Sequence, residues 1–143
     1  MLAILVGTHG HFATELLKTC EMICGETTNV RAITLVPGES PDDVLKKYED
    51  ALQEMDTENG VLFLNDLFGG SPYNAACRLA IGHKEYGIVT GVNLPMLIEM
   101  IGVQAAGEED SIQEIMERAV AAGNMGTRTF HANDVQEDEE DDL

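Results

Sequence analysis

Three groups of residues in this chain could do chemistry together: His9, Asp66 and the run Gly69-Gly70-Ser71-Pro72. An imidazole is a nucleophile and a base whose two ring nitrogens are told apart by what one of them bonds. A carboxylate that accepts the N–H of one nitrogen fixes the tautomer and turns the other lone pair outward. It also steadies the positive charge the ring gains when it attacks. Glycines let a bound group approach the backbone closely. A helix opening at Ser71 directs its positive end and free N–H donors outward, which suits an anion, and a phosphate best of all. Taken singly, each is also ordinary: a turn histidine, a strand-end acid, a structural Gly-Gly turn. Taken together they suit phosphoryl transfer onto and off an imidazole, with His9 as acceptor, Asp66 as its orienting partner and Gly69, Gly70 and Ser71 at the phosphate.

That combination requires elements that bring residues 9 and 66 to one edge. Leu2 to Val6 is an apolar run, suited to a strand buried on both faces and ending at Gly7-Thr8-His9-Gly10. Phe12, Leu16, Leu17, Cys20, Ile23 and Cys24 recur at helical spacing, closed by Gly25. Val30 to Leu35 reads as a second strand. Ser40-Pro41-Asp42-Asp43 marks a helix start, with Val44, Leu45, Tyr48, Leu52 and Met55 as its inward face. Gly60 to Asp66 reads as a third strand ending in a carboxylate, and Ser71-Pro72 caps a helix to about Ile81.

Gly87 to Val92 reads as a fourth strand, followed by a short helix near Met96–Ile101. A last helix opens at Asp110 or Ser111, with Ile112, Ile115, Met116 and Ala119 inward and Gly123 as its terminator, and Thr127 to Ala132 is a weaker strand. Alternating buried strands and helices call for an α/β fold: a flavodoxin-like, doubly wound, mainly parallel sheet with helices on both faces. In that arrangement the first and third strands are neighbours with a switch-point crevice between their carboxyl ends. The expected division is one domain over residues 1–132 and an acidic, disordered tail over 133–143.

Composition narrows the partners. The chain has 143 residues, 8 basic and 26 acidic, for a net charge of −18. Seven acids fall between Asp134 and Asp142, and the rest of the chain still opposes 19 acids to 8 bases. Such a field excludes nucleic acid, whose phosphates need clustered Lys and Arg. It favours a partner with a basic face, or simply keeps the surface soluble. An apolar fraction of 44% supports a globular core. No run reaches the roughly 18 apolar residues of a membrane span. With no basic leader or cleavage site, a cytoplasmic protein that does not insert in membranes is expected. The cysteines, Cys20, Cys24 and Cys77, read as small buried hydrophobes.

Val6-Gly7-Thr8-His9-Gly10, Val36-Pro37-Gly38-Glu39, Gly60 to Leu64, Asp66, Gly69-Gly70-Ser71-Pro72 and Gly91-Val92-Asn93-Leu94-Pro95-Met96-Leu97 carry a resemblance. In order and in register, over about residues 1 to 130, the chain resembles the IIA component of the mannose-family sugar phosphotransferase system. The resemblance implies a phosphocarrier without cofactor. It takes a phosphoryl group from the small carrier protein HPr onto His9, on the ring nitrogen remote from Asp66 (the tele position). It hands the group to a IIB component linked to the membrane components IIC and IID. It also implies a homodimer that exchanges its last strand, here Thr127 to Ala132. The residues after Ala132 are unlike a folded IIB domain, which suggests a free-standing IIA with a separate IIB. The sugar is not legible, since specificity would lie in the membrane components.

Docking two proteins in turn on one histidine needs an apolar rim. Leu67, Phe68, Pro95 and Met96 follow strand ends and are the candidates, or else core residues. His11 beside His9 could suggest a transition metal, yet nothing is spaced to complete a site, so no metal is expected. Other classes stay open at this point. Flavodoxin-like sheets hold flavins and nucleotides at this edge, and regulatory receivers use an aspartate as acceptor. A hydrolase would need a nucleophilic serine elbow that is absent here.

Overall fold

The computed structural model describes residues 1–135 of the chain. Four strands form one parallel sheet: β1 (Ala3–His9), β2 (Val30–Leu35), β3 (Val61–Asn65) and β4 (Tyr86–Thr90), in the spatial order β2-β1-β3-β4. Five helices connect and cover them: α1 (Phe12–Cys24), α2 (Pro41–Glu54), α3 (Ser71–Ala80), α4 (Leu94–Ala106) and α5 (Ile112–Met125). The register sets Gly7 beside Asn65 on β3 and His9 beside Leu35 on β2. The carboxyl ends of β1 and β3, with His9 and Asp66, therefore lie side by side, as the sequence implies.

Strand alternation divides the core into two layers. Ile4, Val6, Leu62 and Leu64 face α1, α4 and α5, while Ala3, Leu5, Val61 and Phe63 face α2 and α3. Because both faces of β1 and β3 are covered, the strands read as continuous apolar runs. Local chemistry starts the helices. The Ser40 hydroxyl accepts the Asp43 N–H while the Asp43 carboxylate accepts the Ser40 N–H, a reciprocal cap for α2. Asn93 and Ser111 cap α4 and α5 one-sidedly, their side chains accepting the N–H of Met96 and of Glu114.

Several expectations are corrected. Gly70, not Ser71, is the cap of α3, and Ser71 is its first helical residue. Helix α4 is longer than Met96–Ile101, running Leu94–Ala106. Gly123 lies inside α5 rather than ending it, and it is small because a side chain there would meet the Met96 methyl at 2.8 Å. On α1 the inward face is Ala13, Leu16 and Cys20, whereas Phe12, Ile23 and Cys24 are exposed. Cys77 is half-buried. Only Cys20 fits the buried-thiol reading, pushed up to about 12 chiefly by its burial and next by Cys24.

Thr127 to Ala132 forms no strand in this chain. Residues 127–131 run exposed, and a short 3₁₀ turn spans Ala132–Asp134 across the expected domain boundary. A strand needs a neighbour for its N–H and C=O groups, and here this segment lies on no sheet edge. Most of the expected acidic tail, residues 136–143, lies outside the described residues. Among the described residues no helix is long and apolar enough to cross a membrane.

Candidate functional site

His9 is the last residue of β1, and Asp66 follows the last residue of β3. The imidazole Nδ1 stands 3.0 Å from Oδ2 and 3.2 Å from Oδ1 of Asp66, and the His9 main-chain N–H donates to Oδ2 at 3.1 Å. The carboxylate thus holds both the ring and the backbone of the histidine. With an acceptor on Nδ1, the neutral ring keeps its proton there and leaves Nε2 with the lone pair. The His9 side chain is 42% exposed and that of Asp66 only 20%. The ring meets solvent while the carboxylate stays beneath it.

The other edge of the imidazole faces Gly70. A side-chain carbon at Gly70 would stand 2.6 Å from His9 Cε1 and 3.2 Å from Nε2, so the ring occupies the space that glycine leaves. The Cε1–Nε2 edge of the ring therefore lies against the residue that caps α3. Gly69 takes a left-handed φ of +82° in the turn that leads there. The Gly70 N–H is not free for a ligand: it donates to Leu67 C=O at 3.1 Å and closes the turn. Pro72 has no N–H to give. The outward donors of this turn are the amides of Ser71 and Tyr73 at the start of the helix, where the dipole is positive, together with the Ser71 hydroxyl.

Behind the site lie residues whose importance was not read from the sequence. Buried Thr8 accepts the Ala13 N–H on Oγ1 at 2.7 Å and so fixes the start of α1, where His11 occupies an exposed cap position without a side-chain bond. Buried Asn65 and Tyr48 link β1, β3 and α3 by hydrogen bonds. The available signal was Asn65 itself, an amide closing the apolar run Val61-Leu62-Phe63-Leu64.

The docking candidates separate. Leu67 is 59% and Phe68 73% exposed, and Pro95 is also exposed. Met96 is not on the rim: it is 3% exposed and packs in the core against α5. The Phe68 ring leans on Tyr73 with centroids 4.8 Å apart. Both border an apolar groove of about 830 Å³ along the free edge of β4, with Ile88, Met116 and Val120 in its wall.

Comparison with known proteins points to one family. Residues 3–120 match the EIIA-man family, described as the PTS system fructose IIA component. Over 135 residues the chain is 43% identical to the mannose-specific EIIAB component of Escherichia coli K12, covering 94% of this chain and 41% of that protein. The chain thus spans less than half the length of that relative. It is 36% identical over 104 residues to the fructose-specific EIIA component of Bacillus subtilis 168, covering 73% of this chain and 71% of that one. The crystal structure of an EIIA component from Streptococcus agalactiae superposes with a TM-score of 0.81 at 26% identity, covering 91% and 98% of the two chains.

Proposed function

The chain belongs to the EIIA-man family of phosphotransferase-system IIA components, and on that premise we propose that His9 is a transient phosphohistidine passing a phosphoryl group between two proteins. Phosphorylated HPr is the donor and a IIB component, linked to membrane components IIC and IID, the acceptor. The observation that carries this reading is the His9 ring fixed by Asp66 through Nδ1 while its Cε1–Nε2 edge lies against Gly70.

In the transfer, Nε2 attacks phosphorus as the N–P bond of the donor's phosphoimidazole breaks. The Nδ1 proton stays between His9 and Asp66, and the carboxylate offsets the positive charge that grows on the ring. The phosphoryl oxygens come to lie before the Ser71 and Tyr73 amides and the Ser71 hydroxyl. Handing the group to IIB is the same step in reverse. Exposed Leu67, Phe68 and Pro95 supply the apolar part of the docking surface, and the acidic surface speeds encounter with a basic partner. The protein works in the cytoplasm, where donor and acceptor are found.

The same reading includes a homodimer. β4 is an edge strand whose outer side borders the apolar groove, and Thr127 to Ala132 of a second copy, Phe130 foremost, is its proposed occupant. The relatives reported above are named as phosphotransferase components, which leaves a flavin- or nucleotide-binding module without support. Incubation with enzyme I, HPr and phosphoenolpyruvate should add one acid-labile phosphate, mapped to His9 and absent from His9→Ala. No phosphate on a folded chain with competent donors would overturn the reading.

A further inference from the structure

Tyr48 on α2 and Asn65 at the end of β3 are both fully buried. Asn65 Nδ2 donates to Gly7 C=O at 2.8 Å and to the Tyr48 hydroxyl at 3.0 Å. The Tyr48 hydroxyl in turn donates to Pro72 C=O at 3.0 Å. These bonds join three places: Gly7 lies two residues before His9, Asn65 one before Asp66, and Pro72 one after Ser71.

Packing alone does not account for these two polar groups. The Tyr48 ring meets Phe63 edge-on with centroids 5.1 Å apart, a contact phenylalanine would make as well. A buried hydroxyl adds a desolvation cost that its bonds only offset. Asn65 carries a larger one, because its Oδ1 is buried with no partner among the described residues. Leu or Val, as elsewhere on β3, would bury without that cost. Gly7 is shaped to the same end, since a side-chain carbon there would run into the Tyr48 hydroxyl and come within 2.8 Å of Cζ. Burial raises the Tyr48 hydroxyl above its ordinary value of 10, so it remains a donor at every physiological pH.

We infer that Tyr48 and Asn65 are positioning residues for phosphoryl transfer, setting the spacing of the His9 ring, the Asp66 carboxylate and the first turn of α3. The inference rests on the phosphocarrier reading of His9. The pair touches none of the reacting atoms. It acts through the main chain at Gly7, at the end of β3 and at Pro72, so that Nδ1 meets Asp66 while Nε2 meets the α3 turn.

The test is Tyr48→Phe, read two ways. In single-turnover transfer from phospho-HPr, the maximal rate should fall about tenfold or more while half-saturation stays unchanged, since a small misplacement from a remote change costs up to ~10²-fold. In the unphosphorylated chain, the ¹⁵N shifts of the His9 ring should move from one neutral tautomer toward a mixture. Asn65→Asp, the same size without the N–H donors, should act in the same direction if the first variant folds poorly. A folded Tyr48→Phe protein with wild-type rate overturns the inference. So does a slower one whose His9 nitrogen spectrum is unchanged, because the loss would then lie elsewhere. If the wild-type chain takes no phosphate, the phosphocarrier reading itself fails, and the nitrogen spectra still report whether the pair orients His9.

Discussion

The imidazole of His9 occupies the place of a side chain at Gly70: a Cβ there would stand 2.6 Å from Cε1 and 3.2 Å from Nε2. Gly70 has an ordinary extended φ of −73°, so its glycine is required by this neighbour rather than by its backbone. Gly70→Ala should fold normally and push the ring off the α3 turn, slowing phosphoryl transfer by about tenfold to a hundredfold. Single-turnover rates beside melting curves would check it. A wild-type rate would show that the ring has room to spare.

Asp66→Asn keeps the shape and can still accept the His9 main-chain N–H through Oδ1. Its amide N–H₂, however, would face Nδ1 and favour the tautomer protonated on Nε2, which has no lone pair to attack with. Transfer should slow about a hundredfold without vanishing, comparable to losing one preorganised charge partner. The ¹⁵N spectrum of His9 should show the tautomer reversed.

Phe68 is 73% exposed and leans on Tyr73 beside the β4 groove, outside the core clusters, so Phe68→Ala leaves the core intact. If it is an aromatic anchor for partner docking, Kd for phospho-HPr or IIB should rise about tenfold or more. Titration calorimetry with a non-phosphorylatable partner reads this directly, and unchanged affinity for both partners would remove Phe68 from the docking surface.

Phe130 is exposed in the single chain, so Phe130→Asp has no stability to lose there. In a dimer that seats Thr127 to Ala132 on β4, the same change buries a charge against an apolar groove. Sedimentation should then show a monomer where the wild-type chain is a dimer. Identical sedimentation of the two proteins would refute the exchange.

Lys47 donates to Glu39 at 2.7 Å and to Thr34 C=O at 2.8 Å, and Glu39 also accepts the Val36 N–H. The Lys47 bond foremost, then the Val36 bond, holds the Glu39 carboxyl below its ordinary value of 4.5. A lowered folded value means that this support is present above 4.5 and lost as pH falls through the folded value. Thermal melts of wild type and Glu39→Gln should differ at pH 7 and converge in acid below 4.5. A difference independent of pH would show that the ion pair contributes nothing.

The four strands were legible because the sheet is covered on both faces, which makes Leu2 to Val6 and Val61 to Leu64 unbroken apolar runs. The meeting of His9 and Asp66 followed from the neighbouring of first and third strands. What escaped has physical causes. Helix α4 packs against α1 and α5 as well as the sheet, so its apolar pattern wraps around it and blurs its limits and the burial of Met96. Gly123 looks like a stop signal, yet it is a helical residue made small by the Met96 methyl. The Tyr48–Asn65 link joins residues 17 apart in sequence with no periodic signature. Thr127 to Ala132 has strand-like residues but pairs with no strand of its own chain.

The proposed carrier must give back what it takes, and the bond from the His9 main chain to Asp66 Oδ2 bears on that. A main-chain amide does not titrate, so one anchor of the carboxylate is indifferent to whether the ring above it is bare, charged or phosphorylated. On the proposed reading, that bond keeps the aspartate in place before and after each exchange, so that little rearrangement separates loading from unloading. In the proposed carrier this anchor favours neither direction, which leaves the flow of phosphate to the supply of donor and the demand of acceptor.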